Sequence, residues 1–269
     1  MSTGLQADRL TLLQTLGPKI FNFESNFDVS IFDELTKSFY HSSGPENEFS
    51  KKILEEFLQD ERSWCRVDSI LEFSQSDESR FYALLILERL VKTRWKLLPS
   101  DQRVGIRDYI VQQIIQVGAH ADSIQTRKVY LNKLVSALVA ILEFEWPRRW
   151  PEFIDEIVQS SKISESLSLV NMKILRILSE EIFLFGSSQM SHIKTKYLRE
   201  TLCNQLPVLF NHIYTILVES TNVPLIVETL KTFNGFMSYI PPQFISHSSI
   251  TEILLERLLK EPLLSNDTL

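Results

Sequence analysis

The side chains that most often do chemistry lie scattered along this chain. Its five histidines are His41, His120, His192, His212 and His247, and none has a second histidine or a cysteine at the spacing of a zinc site. Cys65 and Cys203 also lack metal spacing. Both fall in apolar segments that read as helical, so they are expected as reduced thiols of a reducing compartment. Serines are plentiful, but no G-x-S-x-G elbow presents one as a nucleophile. Glu180 and Glu181 are adjacent, and neighbours on a helix point about 100° apart, so they cannot face each other as an acid/base pair. One exposed and one groove-facing carboxylate is the expectation. The pattern predicts a protein that is not an enzyme, with no catalytic residue, no metal and no cofactor.

Two basic and aromatic groupings are better suited to contact than to catalysis. Lys92, Arg94 and Lys96 cluster near the end of a predicted helix, with Arg89 one turn earlier. Cations there offset the helix dipole, or they form a polar rim for a protein partner. The run from Glu145 to Phe153 reads E-W-P-R-R-W-P-E-F. Pro147 should end the preceding helix, because the residue before proline resists the α region, and Pro151 can open the next. Trp146 and Trp150 flank the turn and are expected to wedge between helical layers, with Pro147 and Pro151 fixing its ends, the alternative being an aromatic binding pocket. The two arginines would face out or stack on the rings.

The elements that carry these residues are predicted to be helices throughout. The chain has 269 residues, 7 glycines and 10 prolines. Ordinary usage of about 7% would give roughly 19 glycines. Strand-and-turn folds need both residue types at tight turns. The seven glycines also form neither G-x-G-x-x-G nor a P-loop, which argues against the common nucleotide folds. The net charge of −6 gives no electrostatic footprint for nucleic acid. No apolar run is long enough to span a bilayer.

Apolar residues recur at helical spacing in segment after segment, for example Phe49, Ile53, Leu54, Phe57 and Leu58 after Pro45. The segment 77–95 is apolar on most of its surface. A single helix is expected from about Asp122 to Glu145, with Asp122-x-x-Gln125 as its capping box, and Ser249-x-x-Glu252 is a second such box. Pro99 and Pro151 are expected in first turns, and Pro207 is expected to interrupt or kink its helix. The helices pair at roughly 29–61, 62–98, 99–146, 149–187 and 190–240, with a sixth pair begun by the apolar-striped helix 250–263. That period is the period of HEAT-type α-solenoids. The predicted fold is all-α, a right-handed α-α superhelix of about five and a half HEAT repeats. It spans 29–269 after a partly helical segment 1–28 and is truncated within the sixth repeat.

Several segments carry a family resemblance. They are W-C-R-V-D-S-I-L-E-F-S-Q from Trp64, I-L-E-R-L-V-K-T-R-W-K-L-L-P from Ile86, E-W-P-R-R-W-P from Glu145, S-E-S-L from Ser164 and L-S-E-E-I-F from Leu178. In this order and spacing the chain resembles the N-terminal part of the exportin-1 family, nuclear export receptors of the importin-β (karyopherin) superfamily, over about residues 28–260. Leu85 departs from it, standing where the family more often has a polar residue. The resemblance implies a HEAT solenoid with an importin-β N-terminal-type region at about 45–115. It implies a receptor shuttling between nucleus and cytoplasm through the nuclear pore. It also implies that inner helices at about 45–60, 78–95 and 122–144 bind the small GTPase Ran in its GTP state, so that GTP is met only through Ran. Tyr82, Glu88, Arg89, Lys92, Lys128 and Lys133 are the contacts so chosen, from the resemblance and from their polarity on apolar helices. Cargo with a leucine-rich export signal would bind in central repeats beyond this chain. Phenylalanine-glycine nucleoporins would meet the outer helices. A generic HEAT scaffold subunit of another complex is the alternative.

Overall fold

The computed structural model describes residues 2–181 and 192–237. Among these residues every regular element is helical. The helices are α1 (Ser2–Leu16), α2 (Val29–His41), α3 (Pro45–Gln59), α4 (Val67–Phe73), α5 (Asp77–Arg94), α6 (Ser100–Gly118), α7 (Ala121–Thr126), α8 (Lys128–Glu145), α9 (Phe153–Ser161), α10 (Glu165–Ser179), α11 (His192–Glu219) and α12 (Val223–Met237). The chain divides into two compact units, residues 1–110 with 127–140 and residues 111–126 with 141–269.

In the first unit α2 packs on α3 and α4 on α5, and α2 also packs on α5, which joins the two pairs. Phe57 lies at the aromatic centre. It meets Phe32 at 5.6 Å between centroids, Phe21 at 5.7 Å and the near-parallel ring of Phe23 at 6.2 Å. The segment before α2 therefore shares this core, and α1 also packs on α3. Removing the Phe57 ring would leave a cavity, costing about 3–5 kcal/mol. Buried hydroxyls are satisfied across this packing: Thr36 pairs with Ser79 at 2.6 Å and Ser74, just after α4, donates to Asp33 of α2 at 2.6 Å. Gly44 opens α3 with φ at 70°, a region disfavoured for side-chain-bearing residues, and Pro45 follows where its missing N–H costs nothing.

In the second unit α9 packs on α10, α11 on α12, α10 on α12 and α9 on α11. The α10–α12 approach is close: a Cβ placed on Gly235 would lie 2.6 Å from Ser179 Oγ. Thr232 donates across this seam to the Met172 carbonyl at 2.8 Å. The buried Asn171 amide donates to the Ile157 carbonyl at 3.1 Å, joining α10 to α9.

Several expectations need correction. The helix expected over Asp122–Glu145 is two helices, broken at Arg127. Arg127 reaches fifty residues back to Asp77, a long-range partner that local periodicity does not reveal. Asp122 lies in the first turn of α7, so the box with Gln125 does not cap the helix. Among the described residues, side-chain acceptors cap helices at Asp28, Ser76, Ser164 and Asn222, which take N–H bonds from Ser30, Ser79, Leu167 and Leu225. Pro151 precedes α9 rather than opening it, because α9 begins at Phe153. Pro207 does not interrupt its helix: α11 runs through it. Cys65 is exposed, in a short 3₁₀ turn rather than an apolar helix, whereas Cys203 is half-buried within α11. The Ser249 box, the helix 250–263, the sixth pair and His247 lie outside the described residues.

Candidate functional site

The most organised charged group in the first unit is built on α5. Glu88 and Lys92 are one turn apart on α5, a spacing that places a carboxylate beside a following lysine. The Lys92 ammonium donates to Glu88 Oε1 at 2.7 Å. The other carboxylate oxygen, Oε2, takes Lys133 from α8. Lys133 also stands over the Phe81 ring, 5.7 Å from its centroid. Burial pushes the Glu88 carboxyl upward, but the bonds from Lys133 and Lys92 outweigh it and hold its pKa below the ordinary value. The group is thus one carboxylate between two ammoniums. Lys133 is largely covered, with 13% of its side chain exposed, while Lys92 is 60% exposed. The outward-facing ammonium is therefore that of Lys92.

A second clamp lies at the start of α5. Arg127 donates to both oxygens of Asp77, from Nε to Oδ2 at 2.9 Å and from Nη2 to Oδ1 at 2.6 Å, the fork geometry that arginine favours. Arg127 Cζ also lies 4.6 Å from the centre of the Tyr130 ring. The Arg127 bond holds the Asp77 carboxyl below its ordinary pKa. Only the Glu88–Lys92 half of these clamps is readable from spacing. The Asp77–Arg127 and Glu88–Lys133 pairs join residues 50 and 45 apart, and no local pattern announces them.

The six residues chosen from the sequence do not form one patch. Glu88, Lys92 and Lys133 come together as described. Lys128 is exposed at the start of α8. Tyr82 is a core residue, only 5% exposed, with its ring edge-on to Phe32 at 6.0 Å and its hydroxyl pKa pushed up by burial. Its hydroxyl suggested a surface position, but its place in the helix register faces it inward. Arg89 turns the other way from Glu88 and donates from Nη1 to the Leu58 carbonyl at 2.6 Å, capping a free carbonyl in the last turn of α3. Arg94 pairs with Glu61.

The tryptophan turn belongs to the second unit and is packed. Trp146, Pro147 and Trp150 are buried, and the Trp146–Pro147 peptide is cis. Trp150 donates from Nε1 to Glu156 at 2.9 Å and meets Phe153 edge-on at 5.0 Å. Pro151 is exposed, but its carbonyl takes the Gln205 amide at 2.9 Å, tying the turn to α11. Arg148 stacks on Tyr197 rather than on a tryptophan, and Arg149 reaches Glu145 at 3.4 Å. These contacts bury both indoles and pack the turn against α9 and α11.

The second unit also holds a group that the sequence reading left aside. Arg176 donates from Nη1 to Glu180 one turn later on its own element at 2.7 Å, and from Nε to Glu228 of α12 at 2.7 Å. Glu181 beside it is exposed. The i, i+4 half was again visible in the sequence and the α12 half was not.

Comparison with known proteins places these groups in a family. Residues 127–269 match the family described as Exportin 1-like protein, and residues 50–116 match the Importin-beta N-terminal domain. The chain is 40% identical over 251 residues to Exportin-1 of Drosophila melanogaster, and 39% identical over 250 residues to Exportin-1 of Schizosaccharomyces pombe. It is 35% identical over 260 residues to Exportin-1 of Dictyostelium discoideum. Each alignment covers 93% of this chain and 24%, 23% and 25% of the respective relative, so the chain spans about a quarter of their length. With its paired helices of the HEAT type and a match over more than half its length, the chain belongs to the exportin 1-like protein family.

Proposed function

We propose that this chain acts as the Ran-binding N-terminal part of a nuclear export receptor. The observation that carries the reading is its similarity, over 93% of its length, to proteins named Exportin-1. It is a binding module rather than an enzyme. It spans 29–269 as a helical-repeat region that works within a longer receptor shuttling between nucleus and cytoplasm. The second helices of successive pairs, α3, α5 and α8, meet the switch region of Ran. Lys92 and Lys128 supply the exposed positive charge, while Glu88 and Lys133 fix Lys92 in place. Opposite charge on a partner would steer encounter more than it adds affinity. The γ-phosphate orders the switch loops of a GTPase, so the module distinguishes GTP from GDP without touching the nucleotide.

In the intact receptor, cargo with a leucine-rich export signal binds in repeats outside this chain. Its binding and that of Ran-GTP strengthen each other, as thermodynamic reciprocity requires. Phenylalanine-glycine nucleoporins bind shallow apolar slots on the outer helices. The exposed Phe73 on α4 suits that role, whereas the buried Trp146 and Trp150 do not.

The test is binding of the purified chain to Ran loaded with GTP or with GDP. Retention of the GTP form alone is the expected result. Equal retention of both forms removes the switch-reading role from this chain.

A further inference from the structure

Between the end of α3, the turn after it and α5 lies an open cleft of about 180 Å³. Leu58, Trp64, Ile86 and Leu90 give it apolar walls, and Arg89 lines it. This volume is below the roughly 300–1,000 Å³ of pockets that enclose drug-sized ligands, so the cleft suits one side chain. Its lining carries two carboxylates and two arginines, and Arg62, bonded to Asp60, brings a third arginine beside it. The two carboxylates that line it each have an arginine of their own: Asp60 takes Arg62 at 3.1 Å, and Glu61 takes Arg94. Arg89 gives one N–H to the Leu58 carbonyl and has four further donors. Among the described lining residues, Arg89 is therefore the cation whose bond partner is a neutral carbonyl.

We infer that this cleft is a docking site for an extended segment of a partner protein, in which an acidic side chain beside a bulky apolar residue pairs with Arg89. The guanidinium fork matches a carboxylate with two parallel bonds. The neighbouring apolar side chain covers Trp64, Ile86 and Leu90. The polar groups of Gln59, Ser63 and Thr93 line the same cleft and serve the passing backbone. This site stands apart from the Ran reading: Arg89 turns toward the end of α3, while Glu88 and Lys92 pair with each other and with α8.

The test uses the full chain labelled with ¹⁵N, following the Trp64 indole signal, which is assigned by its loss in Trp64→Phe. Three capped dipeptides serve as probes: acetyl-Glu-Leu-amide, acetyl-Gln-Leu-amide and acetyl-Ala-Leu with a free carboxyl end. The acidic amide is expected to shift the Trp64 signal saturably and to bind about tenfold more tightly than its glutamine counterpart, as a lost charge-assisted pair implies. Arg89→Gln should abolish that difference, with an unchanged melting temperature as the check on folding. The comparison of probes on the unsubstituted chain decides the matter even if that variant folds poorly. Equal binding of the glutamate and glutamine probes, or no shift of Trp64 with either, overturns the inference. Tighter binding of the free-carboxyl probe than of the glutamate probe also overturns it, in favour of a site for a chain end.

Discussion

Among the three-membered charge groups, two, one in each unit, use the same construction with opposite sign. On α5, Glu88 binds the lysine one turn later and a lysine of a helix further along the chain. At α10, Arg176 binds the glutamate one turn later and a glutamate of α12. In each the shared central ion is largely covered, with 18% of the Glu88 side chain and 24% of the Arg176 side chain exposed. One group sets two ammoniums on a carboxylate and the other two carboxylates on a guanidinium. The device that ties one helix pair to the next thus also sets the sign of the charge shown to a partner. A partner with an acidic face would be drawn to Lys92 and repelled near Glu180 and the neighbouring Glu181.

Reversing the central ion should break either group most severely. Arg176→Glu sets three carboxylates together and Glu88→Lys three ammoniums. Each should cost about 3 kcal/mol, discounted from the fully buried case because the outer members are partly solvated. Urea unfolding would measure it. Restoring opposite signs, with Glu88→Lys joined to Lys92→Glu and Lys133→Glu, should recover most of the loss. A triple variant as unstable as the single one would show that packing rather than charge holds the α5–α8 seam.

Neutralising the centre is milder. Glu88→Gln leaves the covered Lys133 without its counterion and should cost about 1–2 kcal/mol. It should also flatten the acid limb of the stability profile. The folded Glu88 pKa lies below its unfolded value, so the stability it contributes is complete above the ordinary carboxylate range. That contribution is lost as pH falls through the lowered value, and Asp77 follows the same sign. Melting temperatures across the acid range, with and without the substitution, would show it.

The second unit should respond at higher pH. His212 is buried on α11, and burial, followed by Lys162, lowers its pKa. A base whose folded pKa is depressed stabilises the fold in its neutral form, so stability is lost as pH falls below the ordinary histidine value of about 6.5. His212→Phe should remove that slope near neutrality and leave the acid limb of Glu88 untouched. The smallest effect belongs to Lys128, which is exposed: Lys128→Ala should change stability by less than about 0.5 kcal/mol while weakening association with Ran.

What could be read from the sequence follows the range of the interactions involved. The helix pairs were legible because their apolar stripes repeat within a few residues, as in Ile53, Leu54 and Phe57. The end of α8 before Pro147 was legible because proline acts on its immediate neighbour, whereas the start of α9 was misplaced by two residues. The break at Arg127 was not legible, and the residue that Arg127 binds, Asp77, lies fifty residues earlier. Pro207 misled because a rule about isolated helices ignores what packs on α11, which buries Leu206 and Leu209 on either side of it. In the candidate site Lys92 and Glu88 were visible as an i, i+4 pair, but the part played by Lys133 required the fold. Tyr82 was misread because polarity names a residue that can make contacts without saying whether they are made inward or outward, while Arg89 gives one bond to the Leu58 carbonyl and lines an open cleft.

The most direct measurement compares affinities for GTP-loaded Ran among three forms of the full chain: unsubstituted, Lys92→Glu on the positive group, and Glu180→Lys on the negative group. The account predicts that Lys92→Glu weakens binding about tenfold or more while Glu180→Lys leaves it within about twofold. Equal loss in both variants, or loss with Glu180→Lys alone, would contradict it.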